Sequence, residues 1–359
     1  MKKVAVLSFL FAIMLALSGC TLFSCNDGKI VTHTEPLSLT TGASPTEIVE
    51  EYIDATITIF VFDASGDSVS LGSGVAVHSG GYIATNYHVI SAVVNNSSYY
   101  LKVYLNNGEQ GYDADVLWYN ANLDVAIIRS EYYNIPFVEM EDRWISTSNP
   151  LRVLEQVVAI GTPIDYSLQN TASIGYISST QKRYSTSDSR IYEDLIQHTA
   201  PISNGNSGGP LFDMNGKLIA LNTLGMKDKD GTNGYQANSL YFSVPIYPII
   251  KVIDRVVATG FQTPVLEIQG YDELESDLRS INNLNEDGFY VSAVTVNGVS
   301  YGKLKVGDII KKVTVGVTEY TITDRNDLIY ALISANSGDT IKVEYKRILI
   351  NKEVEITLA

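Results

Sequence analysis

Between Ala55 and about Val244, apolar residues come in short runs or alternate with polar ones, and turn residues separate the runs. The clearest runs are Thr56–Phe62, Gly74–Val77, Tyr99–Leu105, Val125–Ile128, Val153–Ile160, Lys217–Asn222 and Leu240–Val244. A period of two sends successive side chains to opposite faces of a strand, and the Val, Ile, Thr and Tyr in these runs suit a pleated surface. Many short strands between turn signals predict an all-β barrel or sandwich. The period changes on either side. Ser44-Pro45-Thr46-Glu47 has the spacing of a capping box with Pro at the first helical position, which predicts a short helix through about Asp54. Ile249, Ile250, Ile253, Val256 and Val257 form one stripe, so Tyr247–Ala258 reads as a helix stopped by Gly260.

At the start, Lys2 and Lys3 precede an apolar run, Val4 to Leu17, shorter than the ~20 residues that span a bilayer. A basic start, a short apolar run and a small-residue site predict a secretory signal peptide over residues 1–19. The site, Leu17-Ser18-Gly19-Cys20, resembles the bacterial lipoprotein box, in which the cysteine is diacylated and becomes the new N-terminus. An uncleaved anchor or an ordinary signal peptide is the alternative. Two acyl chains hold a protein stably on a membrane where one does not. The expectation is an exported lipoprotein anchored through Cys20 on the extracytoplasmic side, facing a periplasm or the outside of a single membrane. Cys25 is the only other cysteine; with Cys20 acylated, no intrachain disulfide forms, and Cys25 is a second acylation site or an unpaired thiol. Residues 20–45, rich in Thr, Ser, Gly and Pro, read as a flexible tether.

The 359 residues suffice for two domains after this leader. Lys plus Arg number 25 and Asp plus Glu 40, a net charge of −15, which argues against a nucleic-acid partner. An acidic surface also opposes lying flat on anionic lipid, so an anchor must supply the attachment. The sequence holds no P-loop, no Cys/His metal cluster and no dinucleotide fingerprint, consistent with chemistry that needs no metal or cofactor.

The candidate chemistry lies in three segments. Gly205-Asn206-Ser207-Gly208-Gly209-Pro210 surrounds a serine with residues that permit a tight turn and a close approach of backbone N–H groups. A serine hydroxyl becomes a nucleophile when a base takes its proton and donors stabilise the oxyanion. Ala84-Thr85-Asn86-Tyr87-His88 supplies the base, and Asn122-Leu123-Asp124-Val125 an acid at the mouth of an apolar strand. The order His88, Asp124, Ser207 is that of the chymotrypsin-type triad. In those roles Ser207 attacks, His88 shuttles the proton, and Asp124 fixes the imidazole tautomer. Backbone N–H groups of Gly205 and Ser207, together with Asn206, form the oxyanion hole. Of the other histidines, His33 lies in a polar tail, His78 in a hairpin turn, and His198 precedes the nucleophile loop and shapes it.

These residues resemble the HtrA (DegP/DegQ-type) family of trypsin-like serine proteases over roughly residues 46 to 359. The resemblance includes Ala159-Ile160-Gly161-Thr162-Pro163, Thr171–Ser178 and Phe242-Ser243-Val244-Pro245. It implies a mostly β fold: two six-stranded barrels over residues 46–260 with the active site between them, then a C-terminal PDZ domain (α+β) over 261–359. It implies an ATP-independent endopeptidase acting on misfolded or unfolded proteins and peptides, assembled as a homotrimer. The alternative is a catalytically silent sensor or holdase. In the family the peptide before the oxyanion-hole glycine can flip, and Asn204 stands where the family usually has proline. The specificity pocket is expected from Thr223, Leu224 and Gly225 with Leu240 and Tyr241. Tyr241 replaces a small residue, so it narrows the pocket or swings outward. The PDZ match rests on Leu304–Ile310, a helix over Arg325–Leu332 and Gly338–Val343. Its carboxylate-binding loop corresponds to Leu266, Glu267 and Ile268, with Glu267 in place of glycine. A carboxylate there opposes a peptide's C-terminal carboxylate by about 1 kcal/mol at 4 Å in water. The expectation is poor binding of free C-termini.

Overall fold

The computed structural model describes residues 25–26, 29–30, 32–39, 42–106, 108–185, 191–225, 240–271 and 287–359. The signal peptide, Cys20, part of the tether and residues 226–239 lie outside the described residues. The chain divides into Met1–Glu35 and Pro36–Ala359. In the first unit, Cys25–Asn26 (β1) pairs antiparallel with Lys29–Ile30 (β2). Among the described residues no helix is long and apolar enough to cross a membrane.

The second unit opens with α1 (Pro45–Tyr52), where the capping box forms: Glu47 N–H donates to Ser44 Oγ at 3.3 Å and Ser44 N–H to the Glu47 carboxylate at 2.7 Å. Six strands follow: β3 (Thr56–Phe62), β4 (Ser68–His78), β5 (Tyr82–Thr85), β6 (Tyr100–Tyr104), β7 (Gly111–Asn120) and β8 (Val125–Ser130). They close into a barrel in the order β3-β4-β5-β8-β7-β6. A second closed barrel runs β10-β11-β14-β13-β12-β9. Its strands are β9 (Gln156–Gly161), β10 (Thr171–Ser185), β11 (Ile191–His198), β12 (Pro210–Asp213), β13 (Leu218–Gly225) and β14 (Tyr241–Pro245).

The runs are apolar at both parities because both faces of the strands are buried. In β8, Ala126 and Ile128 pack with Ile57, Ile59 and Ile83 inside the first barrel. Val125 and Ile127 face the other way, into a seam shared with Tyr52, Trp118, Phe212 and the second barrel. In β9, Val157 and Ala159 fill the second barrel while Val158 and Ile160 join the same seam. Tyr52 stacks on Phe212 with ring centroids 4.7 Å apart, so α1 closes the seam from outside. α3 (Tyr247–Thr259) lies against it with Ile249, Val252, Ile253 and Val256 buried, and ends at Gly260 in the left-handed conformation.

The C-terminal part is a separate sheet in the order β15-β16-β17-β19-β20, with β18 on β17. These strands are β15 (Ile268–Tyr271), β16 (Phe289–Val294), β17 (Asp308–Val315), β18 (Thr318–Thr321), β19 (Thr340–Arg347) and β20 (Ile350–Thr357). α4 (Arg325–Ile333) is buried on two sides. Leu328 and Leu332 belong to the core of this sheet, whereas Ile329, Tyr330 and Ile333 belong to the seam between the barrels. Asn326 Nδ2 and Tyr330 OH donate to Asp194 on β11 at 2.9 and 3.2 Å. Burial raises the Asp194 carboxyl above its ordinary value, against those two hydrogen bonds.

Arg143 bridges the second barrel's base. Its Nη1 lies 3.1 Å from Asp213 and 2.8 Å from Glu155, with Arg143 and Asp213 both buried. Removing one partner of a buried pair leaves the other charge uncompensated. Arg143→Ala is expected to lower the free energy of urea unfolding by about 3–5 kcal/mol; a change within experimental error would contradict this placement.

Candidate active site

His88 stands near the start of α2 (Tyr87–Asn95), at the end of β5. Asn86 precedes that helix but does not cap it; its Nδ2 donates to the Asp124 carbonyl at 2.8 Å. This bond fixes the loop before β8 against the helix start. Asp124 takes a left-handed backbone, φ 53°, which aspartate tolerates better than most residues. Its carboxylate is fully buried under the imidazole. His88 Nδ1 is 2.8 Å from Oδ2 and 3.1 Å from Oδ1, and the His88 backbone N–H donates to Oδ1 at 3.0 Å. From the second barrel, Thr223 Oγ1 donates to Oδ2 at 2.9 Å. Such a carboxylate favours the proton on Nδ1 and leaves Nε2 as the acceptor at the cleft.

Ser207 sits on a turn whose glycines are sterically required. A Cβ on Gly208 (φ +84°) would lie 2.2 Å from the Ser73 carbonyl, and one on Gly209 2.3 Å from the Ile160 carbonyl. Ser73, on β4, holds this turn from the first barrel. Its N–H donates to the Ser207 carbonyl at 2.8 Å and its Oγ to the Gly205 carbonyl at 2.7 Å. The same Oγ accepts Thr162 N–H at 2.9 Å, while Thr85 Oγ1 donates to the Ser73 carbonyl at 2.7 Å.

The Asn204 carbonyl accepts Ile164 N–H at 2.6 Å. Because a trans peptide sets N–H opposite C=O, Gly205 N–H faces away from that bond. Among the described residues neither Gly205 N–H nor Ser207 N–H has an acceptor. Asn206 leaves the expected donor set: its N–H is taken by the Ser203 carbonyl at 3.0 Å in the same turn.

One bond differs from a poised nucleophile. Ser207 Oγ donates to the Thr223 carbonyl at 2.9 Å, and no hydrogen bond joins it to His88. Rotation about χ1 moves the hydroxyl between staggered positions, and such bonds often tighten only once substrate is present. Both residues line one cavity of ≈ 330 Å³, with Asn204, Leu224, Gly225 and Tyr241. Tyr241 therefore faces inward. Its ring lies against Gly225, where a Cβ would stand 3.0 Å from Cδ1, and stacks over His198 at 6.2 Å and 26°. Leu240 is not in the lining; it packs against the seam between the barrels.

His198 is fully buried beneath this wall. Its Nε2 is 2.9 Å from Ser243 Oγ, which donates to Asn222 Oδ1 at 3.2 Å; Asn222 Nδ2 donates to the Pro210 carbonyl at 2.9 Å. Burial pushes the imidazole down to about 3. It is thus a neutral member of the scaffold behind the nucleophile loop.

The expected peptide loop lies at a second cavity, ≈ 740 Å³, between β15 and α4, which Asn120–Asn122 at the end of β7 also line. Glu267 adopts φ 53°, the conformation a glycine would take. Its carboxylate turns toward a neighbouring turn and accepts Val299 N–H at 2.6 Å. Leu266, Glu267 and Ile268 all line the cavity.

A profile of the trypsin-like peptidase domain matches residues 72–221, the segment from Gly72 through the three candidate catalytic residues. The serine protease Do-like HtrA of Lactococcus lactis is 30% identical over 292 residues, 77% of this chain and 68% of that protein. The chain belongs to the HtrA family of serine proteases. Protease Do-like 1 of the Arabidopsis thaliana chloroplast is 30% identical over 301 residues, though the HtrA chain described here spans only 63% of its length. Among solved structures, the HtrA-type protease AlgW with decapeptide superposes with a TM-score of 0.62 at 22% identity, covering 88% of this chain and 98% of that one. The serine endoprotease from Yersinia pestis gives a TM-score of 0.57 at 24% identity over 89% of this chain and 99% of that one. At these identities the likeness concerns the fold.

Nothing in the sequence of this HtrA protein singles out Ser73 or the Thr223 hydroxyl, since both look like ordinary strand residues. Thr223→Val removes one donor from the buried carboxylate and is expected to lower kcat/KM on a peptide substrate about 10- to 100-fold. Thr223→Ser keeps the hydroxyl and should retain most activity; equal rates for the Val variant and wild type would contradict the role. For His198, only the unfolded chain takes up a proton between its ordinary value of 6.5 and about 3. Its stabilising contribution is therefore whole above about 6.5 and is lost as pH falls toward 3, with a slope of up to about 1.4 kcal/mol per pH unit. Urea unfolding from pH 7 to 4 measures this, and His198→Gln is expected to remove that part of the slope.

Proposed function

We propose that the chain is an exported, membrane-anchored serine endopeptidase that hydrolyses peptide bonds of misfolded or unfolded proteins. The observation that carries this is the His88–Asp124 pair facing Ser207 across one cavity, with two unused backbone N–H groups beside the serine. In the proposed reaction the Ser207 hydroxyl leaves the Thr223 carbonyl and turns to His88 Nε2. His88 accepts its proton as Oγ attacks the substrate carbonyl. The oxyanion receives hydrogen bonds from Gly205 and Ser207 N–H, donors whose individual loss typically costs about 10²–10³ in rate. His88 then gives the proton to the leaving amine, and water repeats the cycle on the acyl-enzyme. Asp124 stabilises the imidazolium throughout.

Tyr241 in the wall of the cavity supports a preference for small aliphatic residues, Ala or Val, before the cleaved bond. Acylation of Cys20 would hold the enzyme at the membrane, and assembly would follow the homotrimer of the family. The C-terminal sheet and α4 would act as a PDZ domain. With Glu267 in its loop, the groove would read internal segments or regulate the protease rather than hold free C-termini. A silent sensor or holdase is the second reading, and the serine hydroxyl parked on Thr223 is what favours it.

A fluorophosphonate probe is expected to label wild type and not Ser207→Ala, and a peptide-library digest should show Ala or Val before the cleaved bond. An unlabelled, folded wild type would favour the second reading, whereas labelling with faster cleavage after Phe or Lys would overturn only the pocket assignment.

A further inference from the structure

The turn between β19 and β20 breaks two rules at once. Arg347 pairs with Ile350, leaving Ile348 and Leu349 as a two-residue loop. Ile348 takes φ 61° at the first loop position, which in such hairpins belongs to Gly, Asn or Asp. A β-branched side chain in the left-handed region is strained. The same residues are apolar and fully presented: Ile348 is 85% exposed, Leu349 83% and Ile350 63%. Val306 and Tyr301 are also exposed, in the neighbouring turn. That turn is held beside the hairpin, because Arg347 donates to the Lys303 carbonyl and to both carboxylate oxygens of Asp308. Strain kept at an exposed apolar tip points to something the tip does.

The charges around it narrow the partner. Residues 301–308 and 345–352 contribute Lys303, Lys305, Lys346, Arg347 and Lys352, and a single carboxylate, Asp308. Asp308 is buried and spent on Arg347. Lys303, Lys305 and Lys352 are exposed. In a chain of net charge −15, this end of the C-terminal sheet is an apolar tip inside a cationic collar. Apolar residues that enter the acyl boundary, with lysines at headgroup level, fit an anionic bilayer surface.

We propose that the β19–β20 tip, Ile348-Leu349-Ile350, docks on anionic phospholipid. The contact goes beyond the proteolytic reading and does not depend on Cys20, and a Ser207→Ala chain serves equally well to test it. Docking would fix the C-terminal sheet at the membrane plane, so a chain tethered at its other end would meet the surface at two points.

The test adds the full chain carrying Leu349→Trp to vesicles of phosphatidylcholine with and without phosphatidylglycerol, all with brominated acyl chains that quench nearby indoles. Val317→Trp is the control: it is fully exposed on the turn at the far end of β17, about 25 Å along the strand. The added tryptophan at 349 is expected to be quenched in anionic vesicles at least twofold more than that at 317. Quenching should weaken in neutral vesicles, at high salt, and in Lys303→Glu/Lys352→Glu. Ile348→Gly, which relieves the turn, is expected to raise the thermal midpoint. Equal quenching at 349 and 317 would overturn the proposal. So would a lipid-free, concentration-dependent blue shift at 349, which would assign the tip to contact between copies.

Discussion

The site depends on one buried hydroxyl that the first barrel lends to the second. His88 and Asp124 belong to the first barrel, Ser207 and Thr223 to the second, so the chemistry requires the two to be held to fractions of an ångström. Ser73 does this through its backbone N–H and its Oγ, which bond the Ser207 and Gly205 carbonyls while the Oγ also accepts Thr162 N–H. In the same turn the N–H groups of Asn206, Gly208 and Gly209 are spent on carbonyls, and those of Gly205 and Ser207 have no acceptor among the described residues. The Thr223 hydroxyl adds a return link, from the second barrel to the Asp124 carboxylate. Both links are buried, where a well-made hydrogen bond is strong and an unmade one costly.

This arrangement separates what is built in from what moves. The candidate oxyanion donors are held in place, because the Asn204 carbonyl is tied to Ile164 and the turn is braced by Ser73. Asn204 lacks the restriction that a proline imposes on φ, so the Ile164 bond rather than ring chemistry holds that peptide. The hydroxyl of Ser207, the proposed nucleophile, rests on the Thr223 carbonyl, and a side-chain rotation would turn it to His88. The pocket wall belongs to the rigid part: Tyr241 is wedged between Gly225 and a neutral, fully buried His198.

The strands are legible in the sequence because strands buried on both faces read as short apolar runs whose spacing survives any detail of register; the pattern alone leaves barrel and sandwich open, and closure into two barrels is implied by the family resemblance. Val125–Ile128 appears in the structure as the start of β8, and the helices over Pro45–Tyr52 and Tyr247–Thr259 match their capping box and stripe. The helix carrying His88 leaves no clear signal in the sequence. Its N-cap residue, Asn86, spends its side chain on Asp124, and its apolar residues resemble a strand. The left-handed Asp124 was hidden because a backbone angle leaves no mark on composition. From sequence Asn206 reads as an oxyanion donor, since adjacent amides look alike until a turn uses one of them. Glu267 read as a glycine lost; in the structure it keeps the glycine's conformation and turns its carboxylate to Val299. α4 showed an apolar run without the information that it serves two cores.

The most direct measurement is a crystal structure of the protein with a peptidyl boronic acid ending in valine. The account predicts a tetrahedral boron on Ser207 Oγ, with the hydroxyl withdrawn from Thr223, and one boronate oxygen about 2.7–3.1 Å from both Gly205 N and Ser207 N. It also predicts His88 still on Asp124 and the valine side chain against Tyr241. A boronate bound away from Ser207, or an adduct whose oxygen reaches neither amide while Ser73 keeps its bonds, would contradict it.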